Sequence, residues 1–174
     1  MFIRIKKINK QEYAYLVENK WRKNRKNKVR QKTLKYLGRV HKLEKGAKKE
    51  TVTLDEYNKL DPEKIILELI KLELLNHDFK QLSRFIFERN TFHVNLVNKK
   101  VTDKKTKKEI CLEINNNFLC SYTLRKLLNF SPKQGLTKLQ IGKQLANSLE
   151  SAGIIVPKEI FVIVAQKILK NVEE

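Results

Sequence analysis

The side chains with the means to do chemistry in this chain are cations, and they crowd its first quarter. Arg4 and Lys6 alternate with Ile3 and Ile5. Lys20, Trp21, Arg22, Lys23, Arg25, Lys26, Lys28, Arg30 and Lys32 follow, and Arg39 closes the run. Guanidinium and ammonium groups at this density suit phosphate: each backbone contact releases condensed counterions, and Arg adds a bidentate fork. Trp21 and Tyr36 stand among the cations and offer rings on which bases can stack. The tract Arg22-Lys23-Asn24-Arg25-Lys26-Asn27-Lys28 repels itself unless an anion sits near it. A second Lys-rich tract, 99–108, reads equally as a further phosphate contact or as a solvated hairpin tip.

The charge balance points the same way. Across 174 residues, 38 Lys and Arg face 19 Asp and Glu, a net charge of +19. Residues 1–50 hold 18 Lys/Arg against 4 Asp/Glu, whereas residues 51–80 hold 4 against 7. A compositional bias toward Lys does not load one segment this way. A localised positive field attracts polyanions and speeds their encounter, and nucleic acid, DNA or RNA, is the commonest of them. A membrane surface would require a basic amphipathic helix, but this region reads as strand. The competing structural explanation is a solvated sheet edge whose Lys residues discourage aggregation.

Catalytic groupings are harder to assemble. His41, His77 and His93 stand far apart, with no Cys or carboxylate at a metal-ligand spacing. The only Glu-x-Lys, Glu18-Asn19-Lys20, has no Asp upstream. Gly-x-Ser-x-Gly, Cys-x-x-Cys and a phosphate-cradling Gly-rich loop are all missing from the sequence. Cys111 and Cys120 read as small buried hydrophobes. The expectation is a protein without catalytic residues, cofactor or metal.

The elements that must position the cations follow from hydrophobic spacing. Residues 1–40 alternate with period two and suggest a three-stranded antiparallel meander. The second strand puts Tyr13, Tyr15, Val17 and Trp21 on one face, with the two tyrosines read as core. The third runs from about Lys28 to Val40 and leads into a basic linker at 41–52. Asp61-Pro62 opens a helix carrying Ile65, Ile66, Leu69, Ile70 and Leu74. A second helix is expected over 79–89, with Leu82, Phe85 and Ile86 inward. Phe92–Val97 and Ile110–Leu119 read as strands, and a short helix follows Thr123. Thr137 and Gln140 form a capping box for a helix with Ile141, Leu145, Leu149 and Ala152 on one face. Gly153 stops it, and Pro157 opens a last helix to about Lys170. That helix is apolar through 160–165, 168 and 169. The side its neighbour leaves uncovered needs the 61–76 helix, the second sheet or another subunit, so it reads as an assembly element and a homo-oligomer contact.

The fold class is therefore α+β: an N-terminal three-stranded antiparallel sheet, then a mixed helix and hairpin region ending in a helical pair. The domain division expected is 1–50, a basic β module, and 51–174, an α+β domain. Two cysteines make no disulfide framework, no apolar h-region opens the chain, and no run approaches a membrane span; these features suggest a cytoplasmic protein.

Met1-Phe2-Ile3-Arg4, Tyr15-Leu16-Val17-Glu18 and the stretch Lys28-Val29-Arg30-Gln31-Lys32-Thr33-Leu34-Lys35-Tyr36-Leu37-Gly38-Arg39-Val40 resemble a known pattern. It is similar to the N-terminal segment of certain DDE-class insertion-sequence transposases. The resemblance implies a prokaryotic, DNA-associated β module ahead of an RNase-H-like catalytic domain with three metal-binding carboxylates. Residues 41–174 supply neither the length nor the carboxylates for that domain. The leading expectation is non-catalytic nucleic-acid binding. A partial transposase and a protein-interaction or ribosome-associated factor are the alternatives.

Overall fold

A computed structural model describes residues 1–21, 29–46, 54–132 and 134–173. The chain is α+β. Strands β1 (Phe2–Ile8), β2 (Gln11–Trp21) and β3 (Val29–Lys42) form the N-terminal antiparallel meander. Helices α1 (Leu54–Asn58) and α2 (Pro62–Leu75) come next. Four short strands, β4 (Lys80–Ser83), β5 (Ile86–Arg89), β6 (Phe92–Asn95) and β7 (Lys100–Asp103), then make a second antiparallel meander. The hairpin β8 (Ile110–Ile114) and β9 (Asn117–Cys120) precedes helices α3 (Ser121–Leu128), α4 (Lys138–Ser151) and α5 (Lys158–Glu173).

The first sheet has five strands in the order β1-β2-β3-β8-β9. Arg39 to Lys42 of β3 pair in parallel with Ile110 to Glu113 of β8, so the N-terminal meander continues into the second half of the chain. Parallel neighbours need a long crossover; here it holds α1, α2 and the second sheet. The main core lies between α2–α5, the second sheet and the inner side of β8–β9. Ile70, Phe87, Leu112, Leu124, Leu145 and Val164 are all buried there. A smaller cluster of Ala14, Leu16, Leu37, Val40, Cys111 and Cys120 fills the other side of the five-stranded sheet, with Ile3 and Ile5 against it.

Four sequence expectations give way. The helix expected over 79–89 is the β4–β5 hairpin. Leu82, Phe85 and Ile86 matched helical spacing, yet Leu82 is exposed, and Phe79 and Phe87 carry the burial. Tertiary pairing decides the matter: Phe87 faces Val94, which faces Val101, and all three are fully buried across the second sheet. Ile110–Leu119 is a hairpin and not one strand, because Asn115 and Asn116 take φ of 49° and 60° between Ile114 and its partner Asn117. Two consecutive left-handed residues make the tight turn that matches strand twist, and Asn tolerates that region. Lys100–Asp103, within the Lys-rich 99–108 tract, is a strand. The buried residues of β2 are Ala14 and Leu16 on one face and Val17 on the other, with Tyr13 and Tyr15, on the face of Val17, only partly buried.

β3 also runs through Lys42, two residues into the expected linker. Elsewhere the helices stand where their signals put them. Thr137 Oγ1 accepts from Gln140 N, and Gln140 Oε1 accepts from Thr137 N. α5 packs against α1 and α2 as well as α4. Ile160, Val164 and Ile168 are buried, and Lys167 Nζ donates to the Asn58 and Leu60 carbonyls at 2.9 and 2.8 Å. The wide apolar surface of α5 is thus largely covered by its own chain, with Val162 left exposed.

Gly38 sits where β3 meets β8, with φ of 125°; a Cβ there would lie 2.5 Å from the Glu109 carbonyl oxygen. Gly142, inside α4, would place its Cβ in open space. The same substitution should therefore have opposite signs. Gly38→Ala is expected to lower stability by at least about 1–3 kcal/mol from backbone strain alone. Gly142→Ala is expected to raise it by about 1 kcal/mol through helix propensity. Thermal or urea melts of the two variants check both; a Gly38→Ala protein as stable as the parent would refute the close contact.

Candidate nucleic-acid interface

β1 pairs with β2 only as far as Phe2 opposite Val17. Beyond that point β2 and β3 continue as a two-stranded ribbon, from Glu18 opposite Lys32 to Trp21 opposite Val29. Asn19, Lys20, Trp21, Arg30, Gln31 and Lys32 are exposed on it, Trp21 at 73%. Arg22, Lys23, Arg25, Lys26 and Lys28 lie outside the described residues.

Cross-strand register sorts the remaining cations by face. Arg4 stands opposite Tyr15, Lys6 opposite Tyr13, and Tyr13 opposite Arg39, while Tyr15 stands opposite Tyr36. These side chains share one face of the meander, since paired residues point to the same side. Tyr36 is half exposed, with the rings of Tyr13 and Tyr15 at 6.3 and 5.4 Å from its own. Lys6 Nζ lies 4.9 Å from the centre of the Tyr15 ring. Arg4 donates to the Gln31 side chain across β2. Alternation sends the two acids of these strands, Glu12 and Glu18, to the opposite face, so the tyrosine face carries no carboxylate from β1–β3.

Lys20, Arg30 and Lys32 lie on that opposite face, with Lys20 3.3 Å from Glu18. The expected phosphate-binding set is therefore divided. Arg4, Lys6, Trp21 and Arg39 stand with the tyrosines; Lys20, Arg30 and Lys32 stand behind them. Tyr13 and Tyr15 belong to the basic side and were missed as site residues. The available signal was the small and apolar pair Ala14 and Leu16 between and beyond them, which marks the other face as the buried one.

Burial beside its two tyrosine neighbours raises the Tyr36 phenol above its ordinary pKa, with Arg39 opposing, so it is neutral at physiological pH. The next inward residue of β3 on this side, His41, packs against Phe92 with ring centres 4.8 Å apart and planes tilted 51°, and burial, then Arg39, lower its pKa. The 103–108 turn adjoins this end of β3. Asp103 accepts from Thr106 N and Thr91 Oγ1, each at 2.8 Å, while Lys104 pairs with Glu88 at 2.7 Å. Lys105, Lys107 and Lys108 are exposed on the turn, just before Glu109 reaches Gly38.

Two histidines do have carboxylate neighbours, His77 at the i,i+4 spacing from Glu73 and His93 across the β5–β6 pair from Glu88. His93 Nδ1 lies 3.0 Å from Glu88 Oε1, and His77 Nδ1 lies 3.3 Å from Glu73 Oε1. Glu73 is buried and already engaged: its oxygens accept from Asn115 Nδ2 at 2.7 Å and Ile155 N at 3.3 Å. It ties α2 to the β8–β9 turn and to the segment before α5, a structural task. Cys111 and Cys120 face each other across β8–β9, both fully buried. Their mutual hydrogen bond draws the Cys120 thiol down and pushes that of Cys111 up. Among the described residues no three or more His, Cys, Asp or Glu side chains group to hold a metal ion, and no helix is long and apolar enough to cross a membrane. Comparison with known proteins finds no matching family model, no matching curated protein and no matching solved structure.

Proposed function

We propose that this protein binds nucleic acid without transforming it, through phosphate contacts on the tyrosine-bearing face of β1–β3. One observation carries the reading: Arg4, Lys6 and Arg39 surround three packed tyrosines on a sheet face to which these strands contribute no acid. A core-facing sheet would put apolar side chains there, and a merely soluble one would mix both signs of charge. The exposed lysines of the 103–108 turn lengthen the positive surface beyond Arg39. The ribbon at the other end adds Lys20, Arg30 and Lys32 to the positive field. The resemblance of residues 1–40 to a DNA-associated transposase segment supports the same partner. Such a protein would act in the cytoplasm, where its partner is, and would need no second copy to cover α5.

Binding should weaken steeply with salt. If the surface engages ~6–10 phosphates, affinity is expected to fall by roughly 10³–10⁵ between 50 and 200 mM monovalent salt. Fluorescence anisotropy with a mixed-sequence oligonucleotide measures this, and a flat response would exclude phosphate-dominated contact.

The two faces of the meander are separable by substitution. Arg4→Ala, Lys6→Ala and Arg39→Ala together should reduce the salt slope by about three contacts' worth, since each neutralised phosphate contributes roughly one unit or slightly less. Lys20→Ala, Arg30→Ala and Lys32→Ala should change it less. The reverse ranking would move the interface to the far side of the ribbon.

A further inference from the structure

We infer that the tyrosine face selects unpaired bases, with Tyr36 as a preset stacking platform for single-stranded nucleic acid and Trp21 as a second ring farther along β2. The inference rests on the phosphate contact proposed above and adds the form of the polymer. Tyr36 is half exposed, but its orientation is constrained by Tyr13 and Tyr15, whose planes tilt 42° and 53° to its own. A ring already held in place loses little freedom when a base lands on it. Each supporting tyrosine has a cation as its cross-strand neighbour: Arg4 beside Tyr15, Lys6 and Arg39 flanking Tyr13. Rings and cations therefore interleave on one surface, as bases and phosphates interleave along a single strand. Trp21 shares this side of β2, six residues or about 20 Å from Tyr15, and is 73% exposed. A duplex can use the cations but not the rings, because its base faces are hidden in its own stack. Two exposed aromatic rings on an acid-free basic face gain a purpose only if bases are free to reach them.

The test compares a labelled single strand of about 12 nucleotides with the duplex of the same sequence, by anisotropy on the full chain. The parent protein should bind the single strand more tightly. Tyr36→Ala should weaken single-strand binding roughly 5- to 150-fold per lost stack and duplex binding by much less. Tyr36→Phe should retain the parent's affinity, because stacking needs the ring and not the hydroxyl. An unchanged thermal melt would show that the alanine variant is folded, and Trp21→Ala offers an independent site if it is not. Duplex binding as tight as single-strand binding would overturn the inference and leave the phosphate reading standing. A Phe variant as weak as the Ala variant would also overturn it, since the hydroxyl would then be the contact. Inorganic polyphosphate competing as well as the single strand would do the same, because it carries no bases. Binding of neither nucleic-acid form would remove both readings.

Discussion

The seam between β3 and β8 is the constraint on which the rest of the molecule depends. Four residue pairs, Arg39 to Lys42 against Ile110 to Glu113, join a basic meander to the part of the chain that owns the main core. The parallel register forces a long crossover, and the crossover brings α2 and the second sheet over the inner side of β8. Gly38 lets the strands approach at the start of the seam, where a Cβ would collide with the Glu109–Ile110 backbone. Without that approach the N-terminal strands would have only their own Ala14, Leu16, Leu37 and Val40, with Ile3 and Ile5, to form a core, without Cys111 and Cys120 to complete it.

The same seam decides what is left open. The helices and the second sheet cover the side of the five-stranded sheet that holds Ile110, Leu112 and Ile114, and His41 on Phe92 marks where that cover reaches β3. Tyr36, five residues earlier, is half exposed. A single strand thus passes from a covered to an uncovered surface within one bulge. The open portion is the portion bearing Arg4, Lys6 and the tyrosines, so the architecture presents its cations where the core ends. The buried tie from Glu73 to Asn115 and Ile155 does comparable work at the far end, pinning the β8–β9 turn that the crossover must leave in place.

Much of this was legible in the sequence, and the failures have specific causes. The α4 cap, the α2 start at Pro62 and the Gly153 stop are local signals that operate over three or four residues, and the structure keeps each, although the Asp61 side chain pairs with Lys64 and does not cap α2. The 79–89 segment fails because its apolar residues satisfy two periods at once. Only the cross-strand partners Val94 and Val101, contributed from elsewhere in the chain, favour the strand. The turn at Asn115-Asn116 fails for a different reason: the apolar alternation of Ile110, Leu112 and Ile114 reads on through it as one strand. For the candidate site, the density of cations was plain, but their division between two faces was not.

The place of Tyr36 among these cations turns on two irregularities that alternation cannot foresee. Arg39 and Tyr36 are three residues apart, a spacing that sends side chains to opposite faces of a regular strand. The register shift between Ala14 and Tyr15 leaves Leu37 without a partner in β2 and returns both residues to one face. Leu37 itself turns into the smaller core, at 3% exposure. A second shift between Leu16 and Val17 does the same for Tyr36 and Thr33, leaving Leu34 unpaired. The two bulges together bring Tyr36 into line with Arg39, Thr33 and Gln31 along β3, opposite Tyr13, Tyr15, Val17 and Asn19 on β2. Remove either bulge and Tyr36 would lie on the opposite side of the strand from Arg39 or from Gln31. The chemistry of the face is thus a property of the register and not of the composition.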